Sequence, residues 1–457
     1  MSLGSRFYRQ KGRVTMDENE LMGSMKVSKA VAKMAIPSVI SSLVTVVYNM
    51  ADTFFVGQTG DPLQVAAVSL TNPIFILFMA FANMFGMGGS AAASMALGEK
   101  KEKRVKQVSS FITYASLIVG IVFAVILLVG MQPVLQLFGA DADTYELAKG
   151  YTTYISYGAP FIIWSAAASF VVRADGASRE AMTGSMIGTV ANIILDPIFI
   201  SGFGMGAAGA AIATTIGNIM ASVYYLWYFC RKSRNMSMAF RYFKCGDRIL
   251  SQVCSAGLPT AIFSALMSIS TIILNQILVA YGNAPVAAIG IVFKANMFIT
   301  FLQMGLANGV QPLLGYSYGA GNRERFITVE RYTKKCCLIV GVLATALFFF
   351  FREPIIRLFI SDTEVINYGV EMLIAYMISG PVIGILFMNM NCMQSTGNAL
   401  PATILSILRQ GVLLIPVLYG LNALLGLHGV IYGQALTDYV AVLLSIVIWR
   451  WKRRKTL

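Results

Sequence analysis

The feature that most constrains this chain is a series of long apolar stretches that recur along its whole length. Each is close to or longer than the roughly 20 residues that a helix needs to cross a bilayer. Only 12% of the 457 residues are charged and 57% are hydrophobic, whereas roughly a quarter of the residues in soluble domains are charged. The chain is therefore predicted to be an all-α protein that crosses a membrane many times.

Twelve transmembrane helices are predicted, arranged as two six-helix bundles. They cover residues 31–56, 63–93, 106–130, 145–172, 180–200 and 207–230 in the first half, and 248–281, 285–317, 328–350, 365–393, 401–424 and 428–449 in the second. The first stretch is longer than the apolar part of a cleavable signal peptide, so it is interpreted as a span.

Changes in composition divide the chain into five predicted parts. These are an N-terminal arm (1–30), an N-lobe (31–230), a basic linker (231–247), a C-lobe (248–450) and a basic tail (451–457).

Lysine and arginine residues outside the spans are distributed unevenly between the two sides of the membrane. Thirty lie on the side that holds both termini, and three, Lys149, Arg352 and Arg357, lie on the other. Such an excess marks the cytoplasmic side of a membrane protein. Both termini are therefore expected in the cytoplasm, in a multi-pass protein of the plasma membrane. The net charge of +14 is attributed to this topology, and no nucleic-acid partner is expected.

The two halves of the sequence match when one is shifted by about 221 residues onto the other. AIP at 35–37 aligns with GLP at 257–259, and QPVLQLF at 132–138 aligns with EPIIRLF at 353–359. Because each copy has an even number of spans, both enter the membrane from the same side. We expect parallel repeats, related by a pseudo-twofold axis along the membrane normal, with a cleft between them. Rocking of one lobe against the other would give alternating access, as in secondary transporters.

The sequence offers no catalytic or cofactor-binding motif. It has no GxxxxGK[ST] phosphate-binding loop, so an enzyme that hydrolyses ATP is not expected. GMGAAG at 204–209 fits GxGxxG, but it joins two spans and no acidic residue follows at the ribose-binding spacing. The single histidine, His428, cannot build a metal cluster, and the six cysteines lack CxxC spacing. No cofactor is predicted, and an H⁺ or Na⁺ gradient remains as the energy source.

Two carboxylates lie inside spans of the N-lobe, at Asp52 and Asp196. Ionisable groups in hydrocarbon are costly and mark functional sites. Asn192 is four residues before Asp196 and shares its helical face, and Tyr48 precedes Asp52 by the same spacing. With Thr214 of the sixth span they form an all-oxygen set suited to Na⁺, or to carboxylates that share a proton. These five residues are the predicted cation or proton site; a purely structural hydrogen bond between helices is the alternative.

Two prolines accompany this set, Pro37 in the first span and Pro197 directly after Asp196. Because proline has no backbone N–H, Pro197 is expected to kink the fifth span.

This pattern resembles the MATE family of multidrug and toxic-compound extrusion proteins, and is most similar to its DinF/MepA-like branch. The loops RADGASREAM and GYSYGAGNRER carry part of the resemblance, and polar residues and prolines of three spans carry the rest: Pro37, Tyr48 and Asp52, then Asn192, Asp196 and Pro197, then Thr214. The resemblance implies an N-lobe site for H⁺ or Na⁺ and bending of the first helix at the proline matching Pro37. It also implies a monomer that exports organic cations and lipophilic drugs in exchange for inward H⁺ or Na⁺.

The C-lobe departs from the NorM-like branch of that family, which carries acids in spans seven and ten. Here those regions offer Asn275, Gln276, Asn389 and Asn391, and the repeat places Leu274 opposite Asp52. A second cation site in the C-lobe is therefore not expected.

Other polar groups inside the C-lobe spans are predicted to contact substrate or one another. Lys294, Asn275, Gln276, Asn391 and Met297 are the predicted cavity residues. Arg409 is expected either to reach the cytoplasmic face or to pair with Asp438. Three other functions remain open: a flippase for a lipid-linked precursor, an exporter of an anionic or zwitterionic metabolite that uses Lys294, and a receptor or channel.

Overall fold

The computed structural model describes residues 20–59 and 61–456. Within this part of the chain there are helices and no strand, and twelve spans are formed. Spans 1 to 6 are Val27–Gly57, Leu63–Gly98, Glu102–Val129, Tyr145–Ala174, Ser178–Gly202 and Gly206–Arg231. Spans 7 to 12 are Ile249–Val279, Asn283–Gly319, Arg323–Phe350, the pair Thr363–Ile378 and Gly380–Ser395, Ala399–Leu425 and Leu427–Thr456. The predicted fold class of twelve helices is confirmed.

The helices extend beyond the apolar stretches from which they were predicted. Span 1 begins at Val27, inside the segment assigned to the N-terminal arm, and span 12 continues to Thr456 through the basic tail. Backbone hydrogen bonds are satisfied within a helix whether or not it lies in lipid, so hydropathy marks only its hydrocarbon part. Residues 1–19 of the predicted arm and residue 457 of the tail lie outside the described residues.

Side-chain caps define the starts of several helices. Asp61 Oδ1 accepts a hydrogen bond from Leu63 N (2.9 Å), and Asp362 Oδ1 accepts one from Glu364 N (2.8 Å). Such caps satisfy amide groups that a helix leaves free in its first turn.

Left-handed turn residues recur at equivalent places in the two lobes, as the internal repeat requires. Lys100 and Gly321 have φ of 59° and 68°, and Gly176 and Gly397 have φ of 89° and 72°. The members of each pair are 221 positions apart in the sequence. The turns after spans 2 and 8 therefore share one backbone conformation, and so do those after spans 4 and 10.

The basic segments gather on one side of the molecule, which we call the basic side. Arg104 Nη2 donates to Gln252 Oε1 (2.7 Å), which joins the starts of spans 3 and 7. The Arg325 guanidinium at the start of span 9 donates to the carbonyl oxygens of Leu21, Met22 and Met25, ahead of span 1. Segments from both lobes and the segment ahead of span 1 therefore lie on one side, as the charge pattern predicts.

The linker between the lobes packs against the N-lobe through Asp175, in the turn between spans 4 and 5. The Asp175 carboxylate accepts hydrogen bonds from Tyr228 Oη (2.8 Å), Ser233 Oγ (2.6 Å) and Asn235 Nδ2 (2.9 Å). Burial raises the pKa of Asp175, although the three hydrogen bonds act in the opposite direction. Ser109 Oγ also donates to Ser237 O (2.9 Å). The linker is thus an ordered cover on the basic side rather than a loose spacer.

Glycines let the two lobes approach closely near the basic side. A Cβ atom on Gly257 of span 7 would lie 1.8 Å from Met84 O, and one on Gly88 of span 2 would lie 1.9 Å from Val253 O. Span 1 meets span 8 in the same way at Gly309, where a Cβ would lie 2.8 Å from Ala35 Cα. These contacts close the space between the lobes on the basic side, and a cavity lies beyond them.

Candidate functional site

A polar cluster in the N-lobe brings together side chains from three spans, with Asn192 of span 5 at its centre. With its amide nitrogen turned toward Asp196, Asn192 donates to Asp196 Oδ2 (3.0 Å) and accepts from the backbone N–H of Thr214 (2.9 Å). The Thr214 hydroxyl lies 3.2 Å from the same amide and 3.4 Å from Tyr48 Oη of span 1. The structure therefore joins Asn192, Asp196, Thr214 and Tyr48 in one network.

The two carboxylates of this cluster have no basic partner among the described residues. Asp196 is fully buried, and its Oδ1 has no hydrogen-bond donor in the part of the chain that the structure describes. Asp52 is half-buried and lies within electrostatic range of Asp196, Tyr48 and Tyr151. A buried carboxylate oxygen without a donor is rare and costly. The oxygen atoms of this cluster fit a proton or a hard monovalent cation such as Na⁺.

The end of span 5 explains how Asp196 reaches this position. The regular helix ends at Pro197, and Ile198–Gly202 form a π-helical turn. Proline cannot donate a backbone hydrogen bond, so the helix loses one bond and widens there. The irregularity expected at Pro197 is therefore present. Pro37 lies inside the continuous helix Val27–Gly57, and a change of bend at this residue stays a prediction.

A cavity of about 680 Å³ lies between the lobes. Its N-lobe wall includes Tyr48, Asn192 and Thr214, whereas Asp52 and Asp196 lie behind that wall. The polar cluster thus adjoins the cavity through three of its members, so an ion bound at the carboxylates would act on the wall from behind. Aromatic and methionine side chains, which adapt to ligands of different shapes, also line the cavity: Phe75, Met79, Phe170, Phe263, Met267, Phe293, Met297, Phe301 and Met304.

Comparisons with known proteins agree with this architecture. The family model described as MatE matches residues 37–198 and 259–419, one segment in each lobe. The chain belongs to the MATE family. It is 32% identical over 422 residues to the multidrug export protein MepA of Staphylococcus saprophyticus, covering 92% of this chain and 93% of that protein.

MepA of Staphylococcus aureus gives the same identity over the same length, which confirms the resemblance to the DinF/MepA-like branch. Among solved structures, the outward-facing conformation of a multidrug resistance MATE family transporter of the MOP superfamily has a TM-score of 0.90. That match has 26% identity and covers 95% of this chain and 97% of the other.

The predicted C-lobe cavity residues need correction. Of the five, only Met297 lies in the cavity wall of this MATE chain. Lys294 and Asn275 are half-buried elsewhere and Gln276 is exposed. Asn391 is buried behind the wall, where its Nδ2 donates to Asn308 Oδ1 (3.0 Å). Sequence neighbours on a helix point roughly 100° apart, so a polar residue one position from a wall residue can face away from the cavity.

Arg409 and Asp438 form a buried ion pair in the C-lobe wall, with Arg409 Nε 2.8 Å from Asp438 Oδ1. Gln434 Nε2 donates to the same oxygen (3.0 Å). The guanidinium carbon lies 5.2 Å from the ring centre of Phe263 and 5.7 Å from that of Phe387. The structure therefore favours the pairing alternative for Arg409 over a side chain that reaches the cytoplasmic face.

Arg173 is a cavity residue, although the predicted fourth span ends at residue 172 and leaves it in the following loop. It is 7% exposed, lines the cavity wall and lies over the Phe170 ring at 5.1 Å. Span 4 continues to Ala174, so this arginine belongs to the helix rather than to the turn. The sequence SFVVRADG could have indicated that Arg173 belongs to the helix, because no polar residue separates it from the apolar run before it.

Proposed function

We propose that this chain is a plasma-membrane antiporter that exports organic cations and other lipophilic drugs in exchange for inward H⁺ or Na⁺. The relatives named multidrug export proteins support the export of drugs. The observation that carries the coupling is the pair of carboxylates without basic partners among the described residues, of which Asp196 is connected to the cavity wall through Asn192. Such a pair is stable in a membrane only when a proton or a cation neutralises it.

Asn192 is the residue through which the coupling ion acts on the cavity. When Asp196 is ionised, the amide nitrogen of Asn192 faces Asp196 Oδ2. When Asp196 is protonated or binds Na⁺, the charge of its carboxylate no longer strengthens this hydrogen bond. The weaker bond loosens Asn192 at the cavity wall, and so favours release of the substrate.

Transport follows from rocking of the two lobes about their contact. Ion binding on the side opposite the basic side favours substrate release there, and substrate binding from the basic side completes the cycle. A membrane potential of 100 mV supplies roughly 2.3 kcal/mol for each charge moved. No covalent step is needed. The protein is proposed to act as a monomer.

A flux measurement in liposomes tests this function. The purified protein is reconstituted, and a pH gradient or a Na⁺ gradient is imposed separately, with rhodamine 123, a fluorescent organic cation, as reporter. We expect one of the two gradients to drive dye movement against its own gradient. If neither does, antiport is disproved; ion conductance without dye exchange would support a channel.

A second candidate is a flippase for a lipid-linked precursor, because Arg173 and Arg409 add positive charge to the cavity wall. Depletion of this protein would then block envelope synthesis in its host. Normal envelope synthesis together with loss of dye export would exclude the flippase.

The basic side is proposed to face the cytoplasm. Cys230 and Cys245 are exposed and lie at the end of span 6 and in the linker, on the basic side. A membrane-impermeant maleimide is therefore expected to leave the wild-type protein unlabelled in intact cells and to label it in inverted vesicles. Ser361→Cys, in an exposed turn on the other side, is the control and should be labelled in intact cells. Labelling of the wild type from outside would reverse the proposed orientation.

A further inference from the structure

The charges in the cavity wall do not match a site for cations alone. Among the described residues, the wall contains three formally charged side chains, Arg173, Arg409 and Asp438. The carboxylates Asp52 and Asp196 lie outside it, in the ion-coupling cluster. A substrate in the cavity therefore meets two guanidinium groups and one carboxylate, and that carboxylate is already paired with Arg409.

Arg409 keeps most of its hydrogen-bonding capacity free. A guanidinium has five N–H donors. Within residues 20–59 and 61–456, Arg409 makes one hydrogen bond, from Nε to Asp438 Oδ1, and its Nη1 is buried without a partner. The side chain as a whole is 8% exposed. A buried donor of this kind calls for an acceptor, and none of the described residues supplies one.

The surroundings hold Arg409 in place for such an acceptor. Asp438 fixes Nε, and Asp438 is itself held by Gln434. Phe263 and Phe387 lie against the guanidinium, and Phe263 also lines the cavity. The terminal nitrogens of a fixed guanidinium form a fork that matches the two oxygens of a carboxylate.

We propose that Arg409 is a carboxylate-binding subsite that admits zwitterionic aromatic substrates to the cavity. The substrate carboxylate pairs with the terminal nitrogens of Arg409 while Nε stays on Asp438. The aromatic body packs on Phe263 and Met297, and the cationic end lies among the hydroxyl and amide groups of the N-lobe wall. The subsite rests on the proposed export function and deepens it by naming a substrate class.

A matched pair of dyes tests the subsite. Rhodamine 110 carries a free carboxylate, and rhodamine 123 is its methyl ester, so the two differ at that group alone. Binding of each dye to the purified full-length protein is measured by fluorescence polarisation. The double variant Arg409→Gln/Asp438→Asn removes both charges of the pair. In it we expect the affinity for rhodamine 110, relative to that for rhodamine 123, to fall about tenfold, because one good charge pair with the substrate is lost.

Lys294→Gln is the matched control, because it removes a positive charge from a C-lobe span outside the cavity wall. It should leave the ratio of the two affinities unchanged. Binding of rhodamine 123 by the double variant shows that this variant is folded. If that binding is lost, Arg409→Lys is used instead, because lysine keeps the positive charge but not the paired terminal nitrogens. Arg409→Lys must then show the lowered ratio of rhodamine 110 affinity to rhodamine 123 affinity.

The subsite is disproved if the wild type binds rhodamine 123 but not rhodamine 110, or if Lys294→Gln lowers the ratio as much as the variant at Arg409. A wild type that binds and exports neither dye contradicts the proposed function itself. The two failures are thus distinguishable.

Discussion

Asp52→Asn and Asp196→Asn are each expected to abolish ion-driven accumulation of rhodamine 123 in liposomes. Asparagine neither binds a proton nor carries the charge that holds Na⁺, so the cluster with Asn192 and Thr214 no longer changes with the ion gradient. One-for-one exchange of H⁺ or Na⁺ for this monovalent dye moves no net charge, so a tenfold ion gradient, about 1.4 kcal/mol, supports about tenfold accumulation. Each variant should fall to equilibration. Exchange of dye down its own gradient should persist, because the cavity wall does not include either carboxylate.

Glu353→Gln is the control for these two variants. It removes a carboxylate whose ion pair with Arg357 is exposed, and exposed pairs contribute little to stability. It should accumulate dye as the wild type does. Undiminished gradient-driven accumulation in both aspartate variants would refute the N-lobe coupling site.

Gly257→Val is expected to lower export at least about tenfold by preventing closure of the lobes on the basic side. Its Cβ would lie 1.8 Å from Met84 O, and a backbone atom cannot move away without separating spans 2 and 7. Interiors packed at crystal density transmit such a displacement rather than absorb it. The measurement is dye export by cells that contain equal amounts of variant and wild-type protein, with the melting temperature of each purified protein.

Gly290→Ala, also in a long span, is the control, because a Cβ there would meet nothing within 4 Å. It should export at the wild-type rate. Equal export by the Gly257 and Gly290 variants would show that the close contact between spans 2 and 7 is not required for transport.

Most of the fold could be predicted from the sequence because the bilayer restricts the choice. A segment in lipid must satisfy its own backbone hydrogen bonds, so each long apolar stretch becomes a helix. The repeat was also visible, and the left-handed turn residues Lys100 and Gly321 now show it in the backbone. The ends of the helices could not be predicted, since spans such as Leu427–Thr456 extend beyond their apolar stretches.

Asp52, Asp196, Asn192 and Thr214 could be selected from the sequence because polar side chains are rare in spans and share faces at a spacing of four. The C-lobe cavity residues could not, because many polar residues there are candidates and only rotation of each helix decides which reach the cavity. Asn391, for example, bonds to Asn308 behind the wall, and Arg173 enters the wall from the last turn of span 4.

The sequence by itself determined the number of spans, the two repeats and the acidic pair of the N-lobe, because each is a property of composition or spacing along one chain. Only the tertiary structure decided that Arg409 pairs with Asp438, that Lys294 faces away and that the acidic pair lies behind the cavity wall. Those outcomes depend on which faces of different helices meet, and packing between helices settles this rather than the pattern within any one of them.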